Sequence, residues 1–231
     1  MSAEPKDELP PDVPETVPVF PLPDHVFLPA SPTPYRIFEQ RYREMVRHLL
    51  ALPPARRWLA IPRLAPGYES DYAGRPAFHE IATVGRLTEC LENADGTFHV
   101  IVGEGVRCRL HEVPGTHAFR LARWVPVPDV APGAAAAAAA HDPAAAYDAL
   151  LQLVGALART LGRPARGLLA LASEDGSRGQ RVSRLANVLL QHPDARQEFL
   201  ECLDEARRID LVMGAAVGIL DAAGGTGGAP S

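Results

Sequence analysis

The first part of the chain alternates apolar residues with prolines, which is typical of extended backbone. Residues 17–23, "VPVFPLP", predict a short strand closed by proline, and proline confines such a strand to the edge of a sheet. The prolines of "HVFLPASPTPYRIF" push the residues before them towards β or polyproline conformation. We therefore expect edge strands and extended connections up to residue 37.

From Phe38 onward the apolar positions recur at helical spacing, which predicts a one-sided helix. Glu39 lies at the expected start of this helix, where a carboxylate suits the helix dipole. Pro53 and Pro54 end it, because proline cannot continue a helix. Residues 57–64, "RWLAIPRL", then predict a further strand.

Two long alternating runs, residues 80–92 and 97–113, flank the sequence "NADG". Asp95-Gly96 between apolar runs is a strong indication of a β-hairpin. The glycines inside these runs favour bulges or bends of a barrel-like sheet; they are Gly85, Gly103 and Gly105. Residues 118–129 predict the last strand.

After the alanine-rich stretch the pattern is helical, with segments at residues 144–162, 167–176, 179–192 and 193–223. Asp194 is the expected N-cap of the last segment. Long helices with short breaks indicate a small bundle. We predict an α+β fold with five parts: a disordered leader (1–16), a β-rich subdomain with one early helix (17–128), an alanine-rich linker (129–143), a helical bundle (144–222) and a flexible tail (223–231).

Charge and composition narrow the function. The formal net charge is −5 and the pI is near 5.9, whereas nucleic-acid-binding proteins usually carry a basic surplus. Lys6, in the leader, is the single lysine among 23 Lys and Arg residues. The predicted folded part therefore lacks the lysine of a phosphate-binding P-loop, of a Ser-Lys dyad and of Schiff-base chemistry.

The three cysteines show no paired spacing, which indicates free thiols in a reducing compartment. The N-terminus has no signal-peptide pattern, and no run approaches the roughly 18 apolar residues of a membrane span. We expect a cytoplasmic protein without a membrane partner.

Catalytic and metal-binding motifs are missing from the sequence. None of the eight histidines forms HExxH or lies beside a CxxC pair, and no serine lies in a nucleophile elbow. "GEGVR" (103–107) precedes strand residues, not a helix, so a bulge is the better interpretation than a phosphate loop. We expect no catalytic residue, no metal and no cofactor.

The arginines off the apolar face of the first helix, Arg41, Arg43 and Arg47, allow two interpretations. They form a basic patch for acidic peptides or RNA, or a solvated face with local Glu partners. Tyr35 and Phe38, together with Arg41, are the candidate binding residues, because aromatic residues beside an edge strand form a groove for extended peptides.

The segment "VPVFPLPDHVFLPASPTPYRIFEQRYREMV" resembles the opening of the N-terminal substrate-binding domain of Lon proteases. The hairpin, "FRLARWVPVPD" and "VSRLANVLLQHPDARQEFLECLDEARRIDLV" are similar to later parts of that domain, so the resemblance covers about residues 17–221. The chain departs from the family pattern at Gln40, where proline is common, and at Thr97, where arginine often follows Asp-Gly.

This resemblance implies a PUA-like β-barrel followed by an α-helical bundle, and a module that binds polypeptides without catalysis. The short chain and the missing lysines imply a stand-alone protein without the ATPase and peptidase domains of Lon. The expected partners are unfolded or extended polypeptides, with a protease or a chaperone as cooperating protein. An adaptor or regulator in protein quality control is the role that follows.

Two alternatives stay open at this point. PUA-like barrels resemble RNA-binding domains, so an RNA-binding protein is the second hypothesis, although the charge argues against it. The third is an unrecognised hydrolase, which would need a cluster of His, Asp or Ser that only the fold assembles. The sequence indicates neither the physiological partner nor the oligomeric state.

Overall fold

The computed structural model describes residues 13–129 and 142–225. Most of the predicted leader, linker and tail lies outside these described residues. The strands in the described ranges are β1 (Thr16–Val19), β2 (Thr33–Ile37), β3 (Trp58–Ile61), β4 (Ile81–Glu92), β5 (Phe98–Val113) and β6 (Arg120–Pro126). The helices are α1 (Gln40–Leu50), α2 (Pro143–Leu161), α3 (Arg163–Ser173), α4 (Arg178–Leu189), α5 (Pro193–Glu201) and α6 (Glu205–Gly225).

The chain divides into two compact units. The first unit contains the described residues up to Pro23 together with Pro32–Pro126, and it holds all six strands and α1. The second contains Asp24–Ser31 and the residues from Val127 onward, with α2 to α6. The predicted α+β fold, a β-barrel followed by a helical bundle, is confirmed.

Five strands of the first unit close into a barrel. The sheet order is β2-β5-β4-β3-β1-β6, and β6 pairs a second time with β5. Strand β5 serves both neighbours because it is long: residues 98–102 pair with β2, and residues 108–113 pair with β6. Strand β2 is therefore an added strand outside the closed ring.

The bends that close the barrel lie at the predicted glycines. The register between β4 and β5 shifts between Gly85 and Leu87, and again between Leu87 and Glu89. Opposite this irregular stretch, a Cβ atom on Gly103 would lie 2.8 Å from the Thr88 methyl group. Such shifts bend a strand and increase its twist, so the predicted bulge is confirmed.

The turn between β4 and β5 contains the predicted Asp95-Gly96 pair. Gly96 has φ +73°, a left-handed conformation that favours glycine, and its N–H donates to the Asn93 carbonyl at 2.9 Å. The Thr97 N–H donates to Asp95 Oδ1 at 2.9 Å. The bonds from Thr97 also hold the pKa of the Asp95 carboxyl below its usual range.

The barrel interior is filled by small and aromatic apolar side chains. Its buried cluster comprises Val17, Val19, Trp58, Ala60, Ala82, Val84, Cys108, Leu110, Ala122 and Trp124. The two indoles keep hydrogen-bond partners, since Trp58 Nε1 donates to Ala55 O and Trp124 Nε1 to Pro14 O, both at 2.8 Å. Burial raises the pKa of the Cys108 thiol to about 12, so this cysteine is an inert part of the core.

Helix α1 packs its apolar stripe onto the first unit, with Tyr42, Met45, Val46 and Leu49 buried. It begins at Gln40, one residue after the expected start at Glu39, because Glu39 is still extended with ψ 138° and is the N-cap. Its end is closed by Arg57, whose guanidinium donates to Leu52 O at 2.9 Å and Leu50 O at 3.1 Å. These bonds satisfy carbonyls that a helix end leaves without partners.

Residues 24–31 belong to the helical unit, which the alternation pattern did not indicate. Phe27 and Leu28 are each only 1% exposed. The Arg184 Nε donates to Ala30 O at 3.3 Å, and Arg196 Nη1 donates to Val26 O at 3.4 Å. A non-helical segment can complete a helical core in this way when arginines satisfy its carbonyls.

The last helical stretch is interrupted where the sequence predicts a continuous helix. Cys202 has extended backbone (φ −71°, ψ 122°) and ends α5, and α6 begins at Glu205. The predicted N-cap at Asp194 is wrong: His192 is the N-cap, and its side chain accepts from the Asp194 N–H. Pro193 occupies the first helical position, so the cap must precede it.

We predict that His25 makes the stability of the protein depend on pH. Burial, assisted by Arg196, lowers its pKa to about 4 from an unfolded value near 6.5. Since the unfolded chain binds this proton more tightly, the stabilising contribution is complete above pH 6.5 and is lost as the pH falls towards 4. Between pH 7 and pH 4.5 the loss is roughly 2 kcal/mol.

An NMR titration of the imidazole measures the pKa of His25. Unfolding by urea at pH 7 and at pH 4.5 measures the change in stability. The matched variant His25→Gln removes this titration and leaves the other histidines in place. The wild-type protein should lose more stability than the variant on acidification. Equal losses in the two proteins would contradict this assignment.

Candidate functional site

Strand β2 has one open edge in the described part of the chain. Its other edge pairs with β5, with Thr33 opposite Val102 and Ile37 opposite Phe98. Proline has no N–H to give to a partner strand, so the backbone at Pro34 points away from β5. Because backbone groups alternate in direction along a strand, the N–H and C=O of Arg36 also point to the open edge.

The outer face beside this edge consists of two rows of side chains across three strands. His99 of β5 is paired with Arg36 on one side and Leu91 on the other. Ile101 of β5 is likewise paired with Pro34 and Glu89. Val100 between the two β5 residues is buried, so the side chains of both rows point outward.

A depression of about 430 Å³ lies on this face, lined by residues 34–36, 89–91 and 99–101. Large apolar side chains are exposed around it, since Leu91 is 64% exposed and Phe38, just after β2, is 62% exposed. We call the region the β2 surface and define it by Pro34, Arg36, Phe38, Leu91, His99 and Ile101. It combines an open backbone edge with exposed apolar side chains.

The three sequence-predicted site residues lie close in the chain but differ in environment. Phe38 belongs to the β2 surface. The Tyr35 ring packs edge-on against Phe20, with 5.8 Å between ring centroids. Arg41 is bound within the protein: it forms an ion pair with Glu39 at 2.9 Å and donates to Tyr72 O at 3.2 Å.

Arg41, Glu39 and Tyr72 form a partly buried network at the end of β2. The Tyr72 hydroxyl donates to Glu39 Oε1 at 2.8 Å. Burial, followed by this hydrogen bond, raises the pKa of Tyr72. The network ties the loop that carries Tyr72 to the start of α1, and so it defines where the chain turns after Phe38.

The other arginines of α1 also have local contacts. Arg47 forms an ion pair with Glu92 at 3.3 Å and lies over the Phe98 ring at 5.5 Å. The side chain of Arg43 covers the Gly96 turn, since a Cβ atom there would lie 2.2 Å from Arg43 Nη2. These contacts correspond to the interpretation as a helix face with local partners.

The histidines do not assemble a metal centre in the described ranges, where no group of three or more His, Cys, Asp or Glu side chains is suitable. His48 and His117 approach each other, with ring centroids 5.2 Å apart, and His117 stacks on Phe119 at 4.6 Å. Burial and the neighbouring His117 lower the pKa of His48. Cys90, Cys108 and Cys202 form no disulfide.

Sequence reasoning missed five members of the β2 surface: Pro34, Arg36, Leu91, His99 and Ile101. Strict alternation from the buried Leu87 would place Leu91 on the buried side, and the shift of register between Leu87 and Glu89 turns it outward. The pairing of β2 with the first half of β5 joins residues that are far apart in the chain, and the local sequence pattern does not specify it.

The first unit is thus a small β-barrel with an added edge strand and a helix, and the second unit is helical. A family model described as the ATP-dependent protease La (LON) substrate-binding domain matches residues 16–215. The chain belongs to this family, as its sequence motifs indicated.

Solved structures show the same fold. The N-terminal domain of the Mycobacterium avium complex Lon protease has 14% sequence identity and a TM-score of 0.65, over 87% of this chain and 98% of that chain. A Lon N-terminal domain protein from Xanthomonas campestris has 19% identity and a TM-score of 0.56, over 86% and 97%. No curated protein matches the chain. Within the described residues, no helix has the length and apolar character to cross a membrane.

We predict that Arg41→Gln destabilises the protein by about 1–2 kcal/mol, because it removes an ion pair and a charged hydrogen bond in a partly buried network. Backbone amides around Tyr72 should also exchange faster. Chemical unfolding and hydrogen exchange measure the two effects. Arg86→Gln is the control, since this exposed arginine should change stability by less than about 0.5 kcal/mol. Equal effects of the two changes would contradict the prediction.

Proposed function

We propose that the chain is a non-catalytic polypeptide-binding module that accepts an extended segment along the open edge of β2. The observation that carries the proposal is the exposed Phe38 beside this edge. Membership of the Lon substrate-binding domain family supports it. The natural ligands on this proposal are unfolded or extended polypeptides.

Backbone pairing supplies the first part of the binding energy. At the open edge Arg36 contributes an N–H and a C=O, and Pro34 contributes a C=O alone. An added strand uses these groups independently of its own side chains. Such pairing suits a protein that must accept many different extended segments.

The exposed side chains supply the second part. Phe38 is 62% exposed, and covering the exposed part of its ring contributes roughly 1–2 kcal/mol to the binding free energy. Tyr35, packed against Phe20, supports the strand, and Arg41 holds the loop beyond it. The three residues thus have separate tasks: contact for Phe38, support for Tyr35 and positioning for Arg41.

The biological role that fits such a module is that of an adaptor or regulator in protein quality control. It would hold extended segments for a protease or a chaperone without altering them. Three cysteines without a disulfide agree with a location in the reducing cytoplasm.

We predict that Phe38→Ala weakens binding of a permanently unfolded, fluorescently labelled polypeptide about 5- to 30-fold, as the area argument implies. Fluorescence anisotropy measures the affinity, and chemical unfolding should show nearly unchanged stability because the side chain is exposed. Val125→Ala is the matched control, since Val125 is 50% exposed on β6, away from the β2 surface. Unchanged binding by Phe38→Ala and by the double variant Tyr35→Ala with Phe38→Ala would disprove the site.

A second measurement tests the pairing mode itself. Peptides N-methylated at successive positions should bind weakly at every second position, because alternate N–H groups face β2 in an added strand. A uniform effect along the peptide would rule out strand addition. A short single-stranded RNA, measured at the same salt concentration, should not bind. RNA binding that weakens steeply with salt would favour nucleic-acid recognition instead.

A further inference from the structure

Arg36 is the cation of the β2 surface. It is exposed and makes no hydrogen bond or ion pair within the described residues. The acidic groups around it have other hydrogen-bond or ion-pair partners: Glu39 pairs with Arg41, Glu92 with Arg47, and Asp95 accepts from the N–H and hydroxyl of Thr97. Asp95 also attracts Arg36 through space, and the charge of Arg36 contributes to the lowered pKa of Asp95, but the two form no ion pair. The guanidinium of Arg36 is therefore available to a carboxylate from outside.

The residues on either side of Arg36 along the same face are apolar. Side chains two positions apart in a strand share a face, so Pro34 and Arg36 lie on one face of β2, and the exposed Phe38 follows directly after the strand. A strand added to β2 would place three of its own side chains opposite these three. Opposite charges directly across a strand pair attract, and like charges repel.

We infer that the β2 surface selects extended segments with the pattern apolar–x–acidic–x–apolar, the acidic residue lying opposite Arg36. This inference rests on the proposed function, because it requires that β2 accepts an added strand. The pattern is symmetric, so it holds for a parallel and for an antiparallel segment. The two residues marked x face the other side and are less restricted.

The charges behind Arg36 agree with this preference. His99 is next to Arg36 in the same row, and its imidazole N–H is a further donor towards an anion. Glu89 is the one acidic residue of the two rows, and it lies on β4. An added strand would be three strand spacings, about 14 Å, from Glu89, which exceeds the screening length of about 8 Å at physiological salt.

A second copy of β2 is a poor occupant of the same edge. Antiparallel pairing centred on Arg36 would place two arginines directly opposite each other. Antiparallel pairing centred on Tyr35 would place Pro34 of each copy opposite Arg36 of the other. Each Pro34 has no N–H, so each would lose one of the hydrogen bonds between the two strands. The edge is thus better suited to an acidic segment of another polypeptide than to self-association.

Three labelled peptides test this inference: one with the core Val-Ser-Glu-Ser-Leu, and two in which Gln or Lys replaces Glu. Their affinities for the wild-type protein and for Arg36→Glu are measured by anisotropy at low and at high salt. Arg123→Glu is the matched control, because Arg123 is an exposed arginine on β6. This variant makes the same charge change away from the β2 surface.

The wild-type protein should bind the Glu peptide up to about fivefold more tightly than the Gln peptide, and the Lys peptide more weakly than either. Arg36→Glu should reverse the order, Arg123→Glu should keep it, and high salt should reduce the differences. Equal binding of all three peptides by the wild-type protein would overturn the acidic preference and leave the proposed function intact.

Failure of all three peptides, including the uncharged Gln peptide, would overturn the proposed function itself. Displacement of the Glu peptide by single-stranded RNA of equal or higher affinity would show that Arg36 recognises phosphate. That outcome would also overturn the inference.

Discussion

The length of β5 is the constraint on which the first unit depends. At 16 residues it would extend about 50 Å, more than one small barrel can use. The shifts of register beside Gly85 bend the β4–β5 pair, so that one half of β5 closes the barrel with β6. The other half continues beyond the ring and is covered by β2. The open edge and the outer rows exist because this strand is too long for the barrel that it closes.

Arginine supplies the connections that irregular backbone needs. In both units it donates to main-chain carbonyls: Arg57 at the end of α1, Arg41 at the loop of Tyr72, and Arg184 and Arg196 along residues 24–31. A guanidinium has several donors in a planar fork and can serve two carbonyls or a carbonyl and a carboxylate at once. This explains why a protein with a single lysine still uses so many basic residues. Arg36 differs from these arginines, since its guanidinium serves no carbonyl among the described residues.

Selectivity and tolerance have separate origins in the proposed β2 surface. The backbone edge is indifferent to side chains, whereas Phe38 and Arg36 distinguish among them. Charged residues on an edge strand also discourage uncontrolled pairing. Arg36 would have both effects: its positive charge favours acidic segments, and it repels basic segments and the Arg36 of a second copy of β2.

Local patterns in the sequence determined most elements of the fold. The Asp95-Gly96 turn, the glycine bends and the apolar stripe of α1 each follow from nearby residues, and each lies where it was predicted. The family motifs indicated the class of protein. Short-range geometry is sufficient for these features, because turn conformation and helical periodicity depend on only a few neighbours.

Tertiary structure alone decided the rest. Residues 24–31 carry an extended pattern, but Phe27 and Leu28 are buried in the helical unit, with Arg184 and Arg196 on the backbone of the segment. The pairing of β2 with the first half of β5 brings Arg36 beside His99, 63 positions later in the chain. Such contacts depend on which distant surfaces bury apolar area and satisfy backbone groups together, and a local pattern does not contain that information.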